Sequence, residues 1–239
     1  QYPYIASSNG LKALIPQHLH ASGVDNMVRM VTDPAQRAAL KPAVLEIAAT
    51  ERPFCHTMIA DSPSQPDYNG RMLTELAEEK GMDPFDLLCD VLRDDKMTTK
   101  AIYFSMSEDD IARVMQWDRA MIGSDGGYGL KPTDHPRTFG TFSRVLGRYV
   151  REKKIITLEN AIRKMTYLPA TVYNLPTKGL IREGMDADLV LFDPETVGDN
   201  NDFTNPYVKN SGLDYVIVGG EIAVRDNVIT GAKGGRQLR

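Results

Sequence analysis

Two unbroken apolar runs of strand length, with a helical pattern between them, do most to limit what this chain can fold into. The first is Ala101-Ile102-Tyr103-Phe104-Ser105-Met106 and the second is Ala120-Met121-Ile122-Gly123. Between them, Ser107-Glu108-Asp109-Asp110 has the form of a capping box, ahead of Ile111, Val114 and Met115. A half-exposed strand alternates apolar with polar residues, whereas a strand apolar throughout is covered on both faces. Strands of that kind, separated by helices, predict a parallel α/β sheet.

The rest of residues 1–175 keeps the alternation. Tyr2 to Ser8 is β-prone and ends in the turn cluster Ser7-Ser8-Asn9-Gly10. Asp33-Pro34 and Asp83-Pro84 each open a helix, the Asp as cap and the Pro at the first helical position. The second of these places Phe85, Leu88, Val91 and Leu92 on one face. Phe54 to Ala60 predicts a strand and Arg71 to Lys80 a helix ended by Gly81. Further helices are expected from Thr141 to Lys154 and from Thr157 to Tyr167.

From Lys178 the texture changes. Gly179 to Gly184 leads into a strand over Ala187 to Phe192, and Leu213 to Val218 with Glu221 to Val224 predict a hairpin on Gly219-Gly220. The expected division is an α/β domain over 1–175 and a small antiparallel β unit over 176–239. A closed (β/α)₈ barrel takes about 250 residues, so the first part is either a smaller open sheet or half of a barrel.

Composition excludes some partners. A net charge of -4 gives no electrostatic attraction to nucleic acid or to an anionic membrane. No apolar stretch approaches the roughly 18 residues of a membrane span. Cys55 and Cys89 form no CxxC motif and read as free thiols in a reducing cytoplasm. Gln1-Tyr2-Pro3-Tyr4 has neither an initiator Met nor a signal pattern, and reads as the interior of a longer polypeptide.

The sharpest chemical feature is Gly123-Ser124-Asp125-Gly126-Gly127, where an apolar run ends at an acid enclosed by small residues. In α/β barrels the active site lies at the C-terminal strand ends, which would aim Asp125 into it. A carboxylate there binds a metal ion, or serves as general base and acid on a metal-bound water. A strand-end Asp that merely caps a turn has the same local pattern. Ten residues on, His135-Pro136-Arg137 puts an arginine on a rigid loop suited to clamp a substrate carboxylate through two parallel hydrogen bonds. A surface arginine paired with a local acid reads the same way. His18-Leu19-His20 has the H-x-H form of metal sites, but it follows Ile15-Pro16-Gln17, a loop entering a helix, and makes a weak ligand pair. His56 reads as structural. Serine-hydrolase, P-loop and dinucleotide-binding motifs are absent.

Several segments fall into one ordered pattern. They are Tyr2-Pro3-Tyr4-Ile5-Ala6-Ser7-Ser8, Leu14-Ile15-Pro16-Gln17, Phe104-Ser105-Met106-Ser107-Glu108-Asp109-Asp110, Ser124-Asp125-Gly126, His135-Pro136-Arg137, Gly140-Thr141-Phe142, Leu146 to Arg151, Lys164-Met165-Thr166 with Pro169-Ala170, and Gly179 to Phe192. Together they resemble the N-acyl-D-amino-acid deacylase (D-aminoacylase) family of the amidohydrolases. The last segment is generic to amidohydrolases, whereas the S-D-G, H-P-R and G-T-F combination is more specific.

The resemblance implies the C-terminal half of a TIM-type (β/α)₈ barrel followed by a segment of a small β-sandwich domain. It implies zinc-dependent hydrolysis of the N-acyl bond of N-acyl-D-amino acids. Asp125 matches the aspartate that activates the metal-bound water and protonates the leaving amine, and its carboxylate is the one candidate metal ligand in this chain. Arg137 matches the arginine that holds the substrate α-carboxylate, Tyr2 a tyrosine assisting there, and Ser8 a serine lining the site. The family's main metal ligands precede the Tyr-Pro-Tyr segment, so the resemblance implies the N-terminal half of the barrel as a partner. Asn9 and His18 depart from the family pattern, which puts side-chain specificity in doubt. Two other readings stand beside this one: a cyclic-amide hydrolase of the dihydroorotase or hydantoinase kind, and a non-catalytic barrel remnant. A half-barrel exposes strand edges and core surface and is expected to pair with its other half or to oligomerise.

Overall fold

The computed structural model describes residues 1–127 and 134–238. They form two compact units, one of Ile5–Ser107 with Asp134 and His135, the other of Gln1–Tyr4, Glu108–Gly127 and residues 136–238.

In the first unit the elements are β1 (Ser7–Gly10), a short α1 (Gln17–His20), α2 (Val24–Thr32), α3 (Pro34–Thr50), β2 (Thr57–Asp61), β3 (Arg71–Met72), α4 (Leu73–Glu79), α5 (Pro84–Asp94) and β4 (Lys100–Tyr103). The helix starts follow the Asp-Pro signals. Asp33 accepts the Gln36 N–H at 2.9 Å and Asp83 accepts the Phe85 N–H at 2.9 Å. α5 buries Phe85, Leu88, Val91 and Leu92 as the spacing requires, and adds Leu87 and Cys89. These pack with Leu11, Leu14, Met27, Val31, Ile59 and Tyr103 into one core.

The sheet corrects the expected strand direction. Its order is β1-β4-β2-β3, and β4 runs antiparallel to both β1 and β2. β4 is central, and Ala101, Ile102 and Tyr103 are all buried. That is why the run is apolar throughout: continuous apolarity reports burial of both faces, not direction. The first strand also differs from expectation. Ser7-Ser8-Asn9-Gly10, read as a turn, is itself β1, held by pairing to β4 with Ser8 opposite Ile102.

The second unit contains α6 (Glu108–Gln116), α7 (Arg137–Arg144), a π-helical segment (Val145–Glu152), α8 (Leu158–Met165), α9 (Tyr167–Val172) and the strands β5 (Leu189–Phe192), β6 (Leu213–Val218), β7 (Glu221–Arg225) and β8 (Val228–Ile229). Thr157 caps α8 through the Asn160 N–H at 3.3 Å. In the π-helical segment the Lys153 N–H reaches back five residues to the Arg148 carbonyl at 2.8 Å. β5 to β8 form an antiparallel sheet in sequence order. Its β6–β7 hairpin turns on Gly219 (φ 58°) and Gly220 (φ 83°), the left-handed pair that a two-residue hairpin loop requires.

The run Ala120–Gly123 belongs to neither sheet. Gln1 brackets it: its amino group donates to the Met121 carbonyl at 2.9 Å, and the Gly123 N–H donates back to the Gln1 carbonyl at 3.1 Å. One residue bonding to both neighbours of Ile122 is the pattern of a single parallel rung.

Candidate active site

Just after Ile122 the backbone reaches Asp125, which has φ 48°. A non-glycine residue in this left-handed region is uncommon, and Asp is among the types that tolerate it. The flanking Gly123, Gly126 and Gly127 leave the turn room and the carboxylate open, with 69% of the Asp125 side chain exposed. Its Oδ2 lies 2.9 Å from Nη2 of Arg137.

Arg137 is the first residue of α7, and its side chain is only 11% exposed. Its guanidinium lies over the Tyr2 ring, 4.7 Å from the ring centre. Stacking on an aromatic face leaves the fork of N–H donors edge-on and directed. Asp125, Arg137 and Tyr2 are thus brought together. Ser8 belongs to the first unit, half-buried on β1.

Residues that the motifs did not single out hold this group in place. Arg144, at the far end of α7, lies over the Tyr4 ring at 4.7 Å and donates through Nε to the Pro3 carbonyl at 2.8 Å. Its Nη1 pairs with Asp199 Oδ2 at 2.9 Å, where the Asp199 side chain is 9% exposed. Burial acts to lower the Arg144 pKa, but the Asp199 carboxylate outweighs it and the net shift is upward. Burial, then Asp199, pushes the Tyr4 hydroxyl well above the usual phenol value. Asn201 is buried and donates to the carbonyl of Pro136, the residue before Arg137, at 3.3 Å. One signal in the sequence pointed here: Arg137 and Arg144 sit two turns apart and therefore on one helix face. Nothing in the sequence marks Asp199 or Asn201.

Two of the histidines bond to main-chain carbonyls. His20 Nε2 lies 3.1 Å from the carbonyls of both Lys12 and Ile15, so the His18-x-His20 pair is not assembled for a metal. His135 is buried with Nε2 2.8 Å from the Ala6 carbonyl. Of the two cysteines, Cys89 is buried and Cys55 exposed. Among the described residues no group of three or more His, Cys, Asp or Glu side chains is arranged to hold a metal ion. Asp125 offers one carboxylate, already paired, and does not fit a zinc site by itself.

The amidohydrolase family pattern matches residues 74–224. The chain belongs to the amidohydrolase family. Among curated amidohydrolases it is 39% identical over 174 residues to a D-aminoacylase of Alcaligenes xylosoxydans xylosoxydans, covering 72% of this chain and 34% of that protein. A crystal structure of D-aminoacylase superposes with a TM-score of 0.72 at 33% identity, covering 97% of this chain and 40% of that one. An N-acyl-D-glutamate deacylase from Bordetella bronchiseptica, solved with zinc and a phosphonate mimic of the tetrahedral intermediate, superposes with a TM-score of 0.70 at 32% identity, covering 93% of this chain and 38% of that one. The chain thus spans about a third of the length of the curated relatives it matches. No described helix is long and apolar enough to cross a membrane.

Proposed function

We propose that this chain supplies the substrate-carboxylate clamp and the proton-handling carboxylate of an N-acyl-D-amino-acid deacylase. The observation that carries the reading is the Asp125–Arg137 pair at 2.9 Å. It sets a carboxylate in a strained turn beside a guanidinium braced on an aromatic ring. Arg137 binds the α-carboxylate of the substrate through paired, charge-assisted hydrogen bonds, with Tyr2 fixing the plane of the fork. Asp125 takes a proton from the attacking water and delivers it to the amine as the amide C–N bond breaks. The products are the free acyl acid and the D-amino acid. Ser8 is proposed as a substrate-binding residue on the family resemblance alone. The substrate class is supported by the D-aminoacylase and N-acyl-D-glutamate deacylase relatives.

Zinc is the proposed cofactor, since the related deacylase binds it. The described residues provide no ligand set, so its ligands are proposed to come from a segment outside this chain, the N-terminal half of a (β/α)₈ barrel. The second half of that barrel is then proposed to lie within residues 1–175, apart from the antiparallel sheet of β1 to β4, with 176–239 a β-sandwich segment. The parallel rung between Gln1 and Ile122 supports the barrel reading. The free Cys55 and Cys89 support a reducing cytoplasm.

The test is hydrolysis of N-acetyl-D-amino acids by the zinc-loaded protein assembled with the N-terminal segment that supplies the ligands, with its polypeptide content established by intact mass. Asp125→Asn keeps the shape and the left-handed turn but not the proton chemistry. It should lower kcat by at least about 100-fold. Unchanged turnover in that variant would sink the assignment.

A further inference from the structure

We propose that Lys164 is a positioning residue for this reaction, holding segment 117–122 so that Asp125 is presented in its left-handed turn; the inference rests on the deacylase reading. Lys164 lies on α8 and is fully buried, with 0% of its surface exposed. An ammonium group costs free energy to bury, and an apolar side chain of similar length would fill the space without that cost. The position therefore calls for its donors.

Those donors go to the main chain that leaves α6. Lys164 Nζ lies 2.5 Å from the Trp117 carbonyl and 3.1 Å from the Ala120 carbonyl. These carbonyls lie past the last turn of α6, in a stretch that belongs to neither sheet; the Trp117 carbonyl also accepts the Ala120 N–H at 2.9 Å, so Lys164 adds to a turn that is already closed there. The backbone of the same residue completes the clamp, since the Lys164 carbonyl accepts the Ile122 N–H at 3.2 Å. One residue thus grips the segment at three points.

The grip bears directly on the acid. Ile122 and Gly123 lead straight into Asp125 at φ 48°. A strained residue persists only where its surroundings over-determine it. The Arg137 ion pair holds the carboxylate end of Asp125. The incoming backbone is held by Lys164, with Gln1 on either side of Ile122. Arg137 starts α7 and stacks on Tyr2, both outside segment 117–122. Losing Lys164 should therefore move the proton-handling group and spare the clamp on the substrate carboxylate.

The test is steady-state kinetics of the zinc-loaded enzyme on an N-acetyl-D-amino acid, expressed per folded active site. K164M should lower kcat about 100-fold with KM held within about threefold, since small misplacements of a catalytic group cost that much. K164R keeps the donors and should restore kcat to within about tenfold of the parent. Unchanged kcat per folded site in K164M overturns the inference, as does a loss in which kcat and KM move together. Should K164M fail to fold, K164Q, which can serve one of the two carbonyls, decides by the same split. An unsubstituted enzyme that carries the zinc-binding N-terminal segment and still hydrolyses no N-acyl-D-amino acid overturns the deacylase reading and this inference with it. A parent enzyme that is active, with K164M matching its kcat, overturns this inference alone.

Discussion

Arg137 and Arg144 open and close α7, and each lays its guanidinium on a tyrosine of the same tripeptide: Arg137 on Tyr2 and Arg144 on Tyr4, both at 4.7 Å. Two turns of helix set the spacing of the arginines, and the bend at Pro3 sets that of the tyrosines. Although their settings match, the two pairs carry different duties. Arg144 is closed off by a buried carboxylate, whereas Arg137 faces the exposed Asp125.

Arg137→Lys keeps the charge but loses the planar fork and the stacking. We expect kcat/KM on N-acyl-D-amino acids to fall about 10- to 100-fold, mostly through KM, as for loss of a hydrogen bond to a charged group. Michaelis kinetics check this. On a substrate whose α-carboxylate is replaced by a neutral amide, the variant and the parent should perform alike.

Arg144→Met leaves the Asp199 carboxylate buried without its partner. Removing one member of a buried pair costs about 3–5 kcal/mol, which denaturant unfolding would register. The double variant with Asp199→Asn should recover part of the loss, because the stranded charge is gone. A full additive loss in that cycle would contradict the pairing.

Gly140→Ala tests the packing behind Arg137. A methyl group there would run into the Tyr4 hydroxyl and the Asn201 side chain, both buried. Overpacking of this kind costs about 1–3 kcal/mol. Thermal melts should show the variant clearly less stable, and an unaltered Tm would mean that this node can give way where its contacts say it is tight.

Stability should also fall in acid through Glu108. Burial acts to raise the pKa of this carboxyl, but Lys153 at 2.7 Å, the Tyr149 hydroxyl at 3.0 Å and Arg148 at 3.0 Å outweigh it and hold the value below the ordinary one. A carboxyl depressed in the folded state contributes its stability above the ordinary carboxylate range and loses it as pH falls through the depressed value. Urea midpoints measured from neutral pH into that acid window should drop, and Glu108→Gln should flatten the drop. The same contacts act on Tyr149: burial, then Glu108, pushes its hydroxyl up to about 12.

Much of this was legible in the sequence where a residue acts on its own neighbours. The caps at Asp33, Asp83 and Thr157, the Gly219-Gly220 hairpin and the acid-bearing turn at Asp125 all declare themselves within a few residues. Strand direction was not legible, because Ala101-Ile102-Tyr103 would be equally apolar in either orientation. β1 was hidden for a related reason: Ser7 to Gly10 are turn formers, and only the ladder to β4 makes them a strand. Arg137 stood out through its Pro-preceded loop, whereas Asp199 and Asn201 act across more than 50 residues, as the Arg144–Asp199 bond shows. Lys164 could be read only as part of a familial motif, since its use depends on carbonyls more than 40 residues earlier.

The π-helical segment at Val145–Glu152 makes this part of the chain sensitive to its length as well as its composition. Each residue of an α-helix turns the chain by about 100°. Deleting one residue here would let the wide turn close into an ordinary one, with its hydrogen bonds intact. Everything downstream would then point elsewhere: Lys153 would swing off Glu108, and Arg151 off the carbonyls of Pro194 and Val197. The extra residue works as a phase setting between two stretches of helix. A homologue lacking it would need a different set of partners even if every remaining side chain were the same.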